Sequence, residues 1–237
     1  MATAALSERV RGRLIVSCQP VVGGPLDATP FVVAFARAAL AGGAAGLRIE
    51  GVANIAAVRA ATGAPIIGLV KRDLADSPVR ITPTVADARA IVAAGADIVA
   101  FDATRRERPA AVADLAAAVR AAGALSMADC ATADEGRAAL ADGADFVSST
   151  LSGYTGGPEP DGPDLALVAA LAGLTRHVIA EGRIRTPEEA AAAMHAGALA
   201  VVVGSAITRP EMVTGWFADA VAAAAPAADA YATGAGR

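Results

Sequence analysis

The sequence has 237 residues, 55% apolar and 19% charged, which is ample for a hydrophobic core and argues against disorder. A formal charge of −4, short basic runs and 3% aromatic content speak against nucleic-acid or anionic-membrane partners recognised by charge or base stacking. Cys18 and Cys130 are far apart, fit neither a disulfide framework nor a zinc spacing, and read as reduced cysteines of a cytoplasmic protein.

Residues 1–13 carry charges but no apolar stretch of signal-peptide length, and no run is apolar and long enough for a membrane span. From there a rhythm sets in. An alanine-rich helical run ends in Gly-Ala and a short β-branched run follows, as at Gly95-Ala96, Gly143-Ala144 and Gly197-Ala198. Glycine closes such helices because it takes positive φ without a Cβ clash. Strands are expected near 14–19, 46–50, 65–71, 97–102, 125–130, 146–150, 177–181 and 200–204. Helices are expected near 29–41, 53–62, 84–94, 109–122, 132–142, 164–172, 186–196 and 210–224. Regular alternation implies parallel strands with helical crossovers, and eight units fit a single-domain (β/α)8 TIM barrel over residues 14–224. A doubly wound open sheet would want a Gly-x-Gly-x-x-Gly turn after the first strand, where Cys18-Gln19-Pro20 stands instead. Residues 225–237, mostly small, read as a flexible tail.

Chemistry in such a barrel sits at the C-terminal strand ends. The ends here are polar while the strand bodies are apolar: Gln19, Arg48 and Glu50, Lys71, Asp102, Asp129, Ser148 to Thr150, Glu181 and Ser205. Two-residue alternation puts Lys71 on the face of Leu69 and Ile67, Glu181 on that of Ile179, Asp102 on that of Ala100, and Asp129 on that of Met127. The third and seventh strands are opposite in a ring of eight, so Lys71 and Glu181 face each other across the mouth. Two proton-transfer groups on opposite sides suit inversion at an acidic carbon. A lysine is a poor base at neutral pH unless burial or a neighbouring cation lowers its pKa, for which Arg48 and Arg72 are at hand. The plain alternative is a cross-barrel salt bridge between Lys71 and Glu181.

Glu181-Gly182-Arg183 and Gly204-Ser205, with Arg209, follow the last two strands, the usual phosphate site of this fold. Thr186-Pro187 and Arg209-Pro210 mark helix starts. His177 falls at the wrong end of the barrel and His195 near a helix end, neither with a metal partner at suitable spacing. Asp102, Asp129 and Glu50 could hold magnesium, but carboxylates at strand ends equally orient sugar hydroxyls.

Six blocks carry a family resemblance: Leu14–Gln19, Lys71-Arg72-Asp73 with Ile81–Thr84, Met127–Thr132, Thr150–Thr155, Ile179–Arg183 and Val203–Pro210. In this order and spacing, from about Leu14 to Phe217, the chain resembles the N-acetylmannosamine-6-phosphate 2-epimerases. The resemblance implies a (β/α)8 barrel interconverting N-acetylmannosamine 6-phosphate and N-acetylglucosamine 6-phosphate in sialic acid degradation. It implies no metal, no organic cofactor and a homodimer. It makes Lys71 and Glu181 the catalytic pair, Gln19, Arg48, Asp129 and Thr150 the sugar contacts, and Gly182, Arg183, Gly204, Ser205 and Arg209 the phosphate site. Leu74 and Arg80 stand where the family's loop often carries tyrosine, and Ser148 where glycine is common.

Two other functions fit the same residues. One is an aldolase in which Lys71 forms a Schiff base with a sugar phosphate. The other is a sugar-phosphate-binding barrel without catalysis. The long polar stretch after Lys71, through Asp73, Asp76 and Pro78, reads as a candidate lid.

Overall fold

The computed structural model describes residues 2–156 and 158–225. Helix α1 (Ala2–Val10) precedes a regular alternation: β1 (Leu14–Cys18), α2 (Thr29–Ala41), β2 (Gly46–Glu50), α3 (Val52–Ala61), β3 (Ile66–Leu69), α4 (Val85–Ala93), β4 (Ile98–Asp102) and α5 (Val112–Ala121). It continues with β5 (Leu125–Asp129), α6 (Ala133–Ala141), β6 (Phe146–Ser148), α7 (Leu165–Ala172), β7 (Val178–Glu181), α8 (Pro187–His195), β8 (Ala200–Val203), α9 (Ser205–Thr208) and α10 (Pro210–Ala224). The strands close into one barrel in chain order, each parallel to its neighbours. This is the expected (β/α)8 barrel. The predicted tail falls, apart from Ala225, outside the described residues.

Side-chain alternation splits the apolar residues into two cores. Ile15, Ile67, Leu69, Ile98, Ala100, Met127, Phe146, Ile179 and Val202 fill the barrel interior. Val16, Leu47, Ile49, Ile66, Val99, Phe101, Val147 and Val201 point outward and meet the helices. Gly68 belongs to the outward set, and a Cβ there would lie 2.5 Å from Ile91 of α4. The missing side chain lets α4 seat directly on the strand.

Two elements were not foreseen. Helix α1 closes the N-terminal end of the barrel by adding Leu6 and Val10 to the interior cluster. The four-residue α9 is tied to the tip of β1, its Thr208 hydroxyl donating to Ser17 O at 2.7 Å. The long segment after β3 is also more ordered than a plain loop. Regular strand structure stops at Leu69, and Lys71 instead bridges Ile81 in antiparallel fashion. Arg72 N–H donates to Arg80 O at 3.0 Å, and Arg80 pairs with Asp73. The segment is thus a short hairpin rooted beside the site. Among the described residues no helix is long and apolar enough to cross a membrane.

Candidate active site

The strand tips surround a cavity of about 550 Å³ at the C-terminal end of the barrel. Gln19, Arg48, Lys71, Thr150, Gly182, Arg183, Gly204, Ser205 and Arg209 all line it. They come from β1, β2, β3, β6, β7 and β8, so the fold gathers residues far apart in sequence. Asp129 is fully buried beside Arg48, while the Glu181 side chain at the tip of β7 keeps 15% of its surface exposed.

Arg48 is the centre of that layer. Its side chain is buried, and Nη2 donates to Asp129 Oδ2 at 2.6 Å. Nη1 contacts Glu181 Oε2 and donates to Thr150 Oγ1 at 3.2 Å. Asp129 is fully buried and also accepts from the Ser148 and Thr150 hydroxyls, at 2.8 and 3.0 Å. Thr150 further donates to Glu181 Oε2 at 3.2 Å. A buried cation holding two carboxylates is costly to desolvate and persists only when its hydrogen bonds are well made, as they are here. Of the three buried side-chain polar atoms without a partner among the described residues, two belong to site residues, Arg48 Nε and Gln19 Oε1, and the third is Ser7 Oγ of α1.

The alternative reading, a cross-barrel Lys71–Glu181 salt bridge, is not what forms; Glu181 pairs with Arg48. Lys71 has no ion pair among the described residues, and its side chain reaches into the open mouth. The surrounding walls thin its hydration and lower its pKa; Arg48 and Arg209 push the same way, while Glu50 and Glu181 oppose them. Arg72 takes no part in this: it is bound to Asp87 at 2.5 Å, away from the cavity. Glu181 shifts in the opposite direction. Burial raises its carboxyl pKa, Asp129 adds to the rise, and Arg48, Thr150 and Lys71 offset it in part. Both groups are therefore moved toward their neutral forms. The chain contains one lysine and nineteen arginines, a contrast that could have singled out Lys71 from the sequence alone.

The loops after β7 and β8 form the other half of the cavity. Gly182 and Arg183 are both in the left-handed region, at φ 116° and 54°, turning successive N–H groups to one side. Arg183 is held in place: its guanidinium stacks on Tyr154 at 4.6 Å and donates to Ser152 O at 2.7 Å. Gly204 passes so close to β1 that a Cβ would sit 3.3 Å from Ser17 Cβ. Arg209 donates from Nε to Gln19 O at 2.7 Å, which fixes its reach toward the cavity.

Other expectations fare differently. Asp129, read as a sugar contact, does not reach the cavity wall, because Arg48, Ser148 and Thr150 enclose it. Asp102 lines the cavity but is engaged by Arg106 and Thr104. Among the described residues no group of three or more His, Cys, Asp or Glu could hold a metal. His177 stacks against Phe146, with ring centroids 5.4 Å apart, away from the chemistry. Burial pushes the Cys18 thiol up to about 12 and Cys130 higher still, so neither is a ready nucleophile. Ile81, Tyr154 and Trp216 also line the cavity and were missed. The folded hairpin brings Ile81 there, the loop after β6 brings Tyr154, and the last helix brings Trp216.

A family model described as "Putative N-acetylmannosamine-6-phosphate epimerase" matches residues 32–223. The chain belongs to this family. A family member from Yersinia pestis strain Pestoides F, described as "Putative N-acetylmannosamine-6-phosphate 2-epimerase", is 58% identical over 216 residues, covering 91% of this chain and 93% of that one. The "Bifunctional enzyme NanE/NanK" of Brucella melitensis is 56% identical over 218 residues. That match covers 92% of this chain, yet the chain spans only 42% of the length of that relative. The solved N-acetylmannosamine-6-phosphate 2-epimerase of Clostridium perfringens superposes with a TM-score of 0.88 at 42% identity, over 90% of this chain and 95% of that one. A thiamine phosphate pyrophosphorylase from Pyrococcus furiosus, at 18% identity and a TM-score of 0.57, shares the barrel fold alone.

Proposed function

We propose that the chain is an isomerase interconverting N-acetylmannosamine 6-phosphate and N-acetylglucosamine 6-phosphate, as a step of sialic acid and amino-sugar breakdown. The observation that carries this reading is the grouping of Lys71 and Glu181 about Arg48 at one cavity, in a member of the epimerase family. In the open-chain sugar, carbon 2 lies next to the carbon 1 aldehyde. One of the pair removes the carbon 2 proton, and the electron pair moves into an enolate spread over carbon 2, carbon 1 and oxygen 1. The other group returns a proton to the opposite face, so the reaction balances through proton transfer alone. It needs neither metal nor organic cofactor.

Arg48 is the natural stabiliser of the enolate, because it is a fixed cation that needs no reorganisation when charge develops. Gln19 Oε1 and Arg48 Nε, left without protein partners, are free to take the sugar, with Thr150 beside them. Asp129 contributes by holding Arg48 and Thr150. The N–H groups around Gly182, Arg183, Gly204 and Ser205, with Arg209, take the phosphate, which anchors the sugar away from the reacting carbon.

A homodimer fits the last helix: α10 has no buried residue, and its Phe217 and Val221 are each 70% exposed. Two free buried cysteines and a doubly charged substrate suit the cytoplasm.

Proton NMR in deuterium oxide tests the reaction. Loss of the carbon 2 proton of N-acetylmannosamine 6-phosphate should accompany growth of the gluco epimer, and Lys71→Ala and Glu181→Ala should each abolish it. The unpaired, pKa-lowered Lys71 keeps the Schiff-base aldolase as a second reading. Carbon–carbon cleavage with a borohydride-trapped adduct on Lys71 would establish that one instead, and unchanged substrate without an adduct would leave the non-catalytic sugar-phosphate barrel.

A further inference from the structure

We propose that Thr82 is a positioning residue for Lys71, acting as a wedge between β3 and β4. The inference rests on the role given to Lys71 above.

The ladder between these strands stops early. Ile67 pairs with Ile98 and Gly68 with Val99, and no further pair forms, although β4 continues to Asp102. The chain returning from the hairpin fills the gap. Thr82 N–H donates to Val70 O at 2.8 Å, and Asp102 N–H donates to Ile81 O at 3.0 Å. The Thr82 hydroxyl does the work of a missing backbone unit. It accepts from Val70 N–H at 3.4 Å and donates to Ala100 O at 2.6 Å. One side chain thereby joins the backbones of both strands just below the catalytic layer.

This arrangement is held against a backbone preference. Thr82 is fully buried with φ 45°, a left-handed conformation unfavourable for a β-branched residue. Strain of this kind persists only when the surroundings over-determine it. The four hydrogen bonds through Ile81 and Thr82 provide that, against the further preference of a residue before proline, Pro83, for extended backbone. The consequence falls on Lys71. Its preceding carbonyl is fixed by Thr82, and its own backbone bridges Ile81. Of the two peptides that aim the lysine, the one before it is held at its carbonyl by Thr82 and at its N–H by Glu50 Oε1 at 3.4 Å, the one after it is held by Arg80 O at the hairpin root that Thr82 anchors, and the strand ladder supports neither.

A purely structural threonine would affect stability alone. A positioning residue also changes where the ammonium sits among the groups that face it: Arg48 and Glu50 from β2, Glu181 from β7, and Arg209 at the start of α10. Thr82→Val keeps the shape and removes the hydroxyl, whereas Thr82→Ser keeps the hydroxyl. In Thr82→Val, kcat should fall about tenfold to a hundredfold, the scale of a misplacement near 1 Å. KM should stay within about twofold, because the phosphate loops lie after β7 and β8. The alkaline limb of the pH–rate profile should move, and Thr82→Ser should restore both kcat and limb. Thr82→Gly serves if the valine variant does not fold. Glycine suits the positive φ and keeps the backbone bond while losing the hydroxyl.

The single lysine allows a readout that needs no turnover. Reductive methylation with carbon-13 formaldehyde labels only Lys71 and the α-amino group, so the Lys71 resonance can be titrated directly in each variant. A folded Thr82→Val or Thr82→Gly protein with unchanged kcat, pH profile and Lys71 titration overturns the proposal. If the wild type fails to exchange the carbon 2 proton, the assigned reaction fails instead, and the Lys71 titration still decides whether Thr82 places the amine.

Discussion

Replacing Arg48 by methionine keeps most of the side-chain stem and removes the charge that holds two carboxylates. Breaking one buried ion pair by removing a partner costs about 3–5 kcal/mol. Asp129 keeps the Ser148 and Thr150 hydroxyls, which offset about 1 kcal/mol each. The net loss near pH 8 should therefore be about 1–3 kcal/mol, read by urea unfolding with an unchanged slope m. The loss should depend on pH, with a definite sign. Without Arg48, burial and Asp129 raise the Glu181 pKa against only the smaller opposition of Thr150 and Lys71, above its value in the unfolded chain. A carboxyl whose folded pKa is raised favours folding below its unfolded pKa, and this contribution is lost as pH rises through the folded one. The variant should thus regain much of its deficit between about pH 8 and pH 5 as Glu181 takes up a proton. Adding Asp129→Asn should restore stability further by removing the second uncompensated charge. A deficit below about 1 kcal/mol, or one independent of pH, would show that Arg48 is not the counter-ion of this layer.

In the proposed reaction Lys71 and Glu181 carry one proton between them in either direction, so both directions should share one bell-shaped pH profile. Its acid limb should lie above the ordinary carboxylate value of 4.5, because Glu181 is raised, and its alkaline limb below 10.5, because Lys71 is lowered. Activity still rising above 10.5 would contradict the lowering. Gly68→Ala should be strongly destabilising for so small a change, since its Cβ would meet Ile91 at 2.5 Å and Ala96 at 2.8 Å. A loss of about 1–3 kcal/mol by urea unfolding is expected, with KM unchanged in the folded fraction. Phe217→Asp on α10 should leave monomer stability within about 0.5 kcal/mol and shift the sedimentation coefficient toward the monomer; an unchanged coefficient would place any dimer contact elsewhere.

The barrel was legible because its signals are local. Gly-Ala helix ends, β-branched runs and two-residue alternation each lie within a few positions, and they foretold which strand-end groups turn inward. The catalytic layer was only half legible. Alternation could send Asp129 inward, but not show that Arg48 would close over it. Arg72 was wrongly credited with lowering Lys71, since its partner Asp87 lies on α4, beyond the hairpin. The hairpin itself could not be foreseen. Its root depends on Thr82 replacing a β3–β4 ladder, and in sequence those groups look like the edge of a polar loop. Helix α1 was missed for a simpler reason: its only large apolar residues are Leu6 and Val10, and they gain meaning only against the barrel floor.

The nineteen-to-one ratio of arginine to lysine has a consequence for how the site responds to its surroundings. Arg48, Arg80, Arg106, Arg183, Arg185 and Arg209 all line the cavity, and a guanidinium does not lose its proton in a protein. The positive charge that these six arginines place around the mouth therefore stays constant from acid to alkaline solution. Lys71 alone among these cations can be switched off. Alkalinity therefore acts on the cations of the cavity through one atom, Lys71 Nζ, while the arginine charge around it persists.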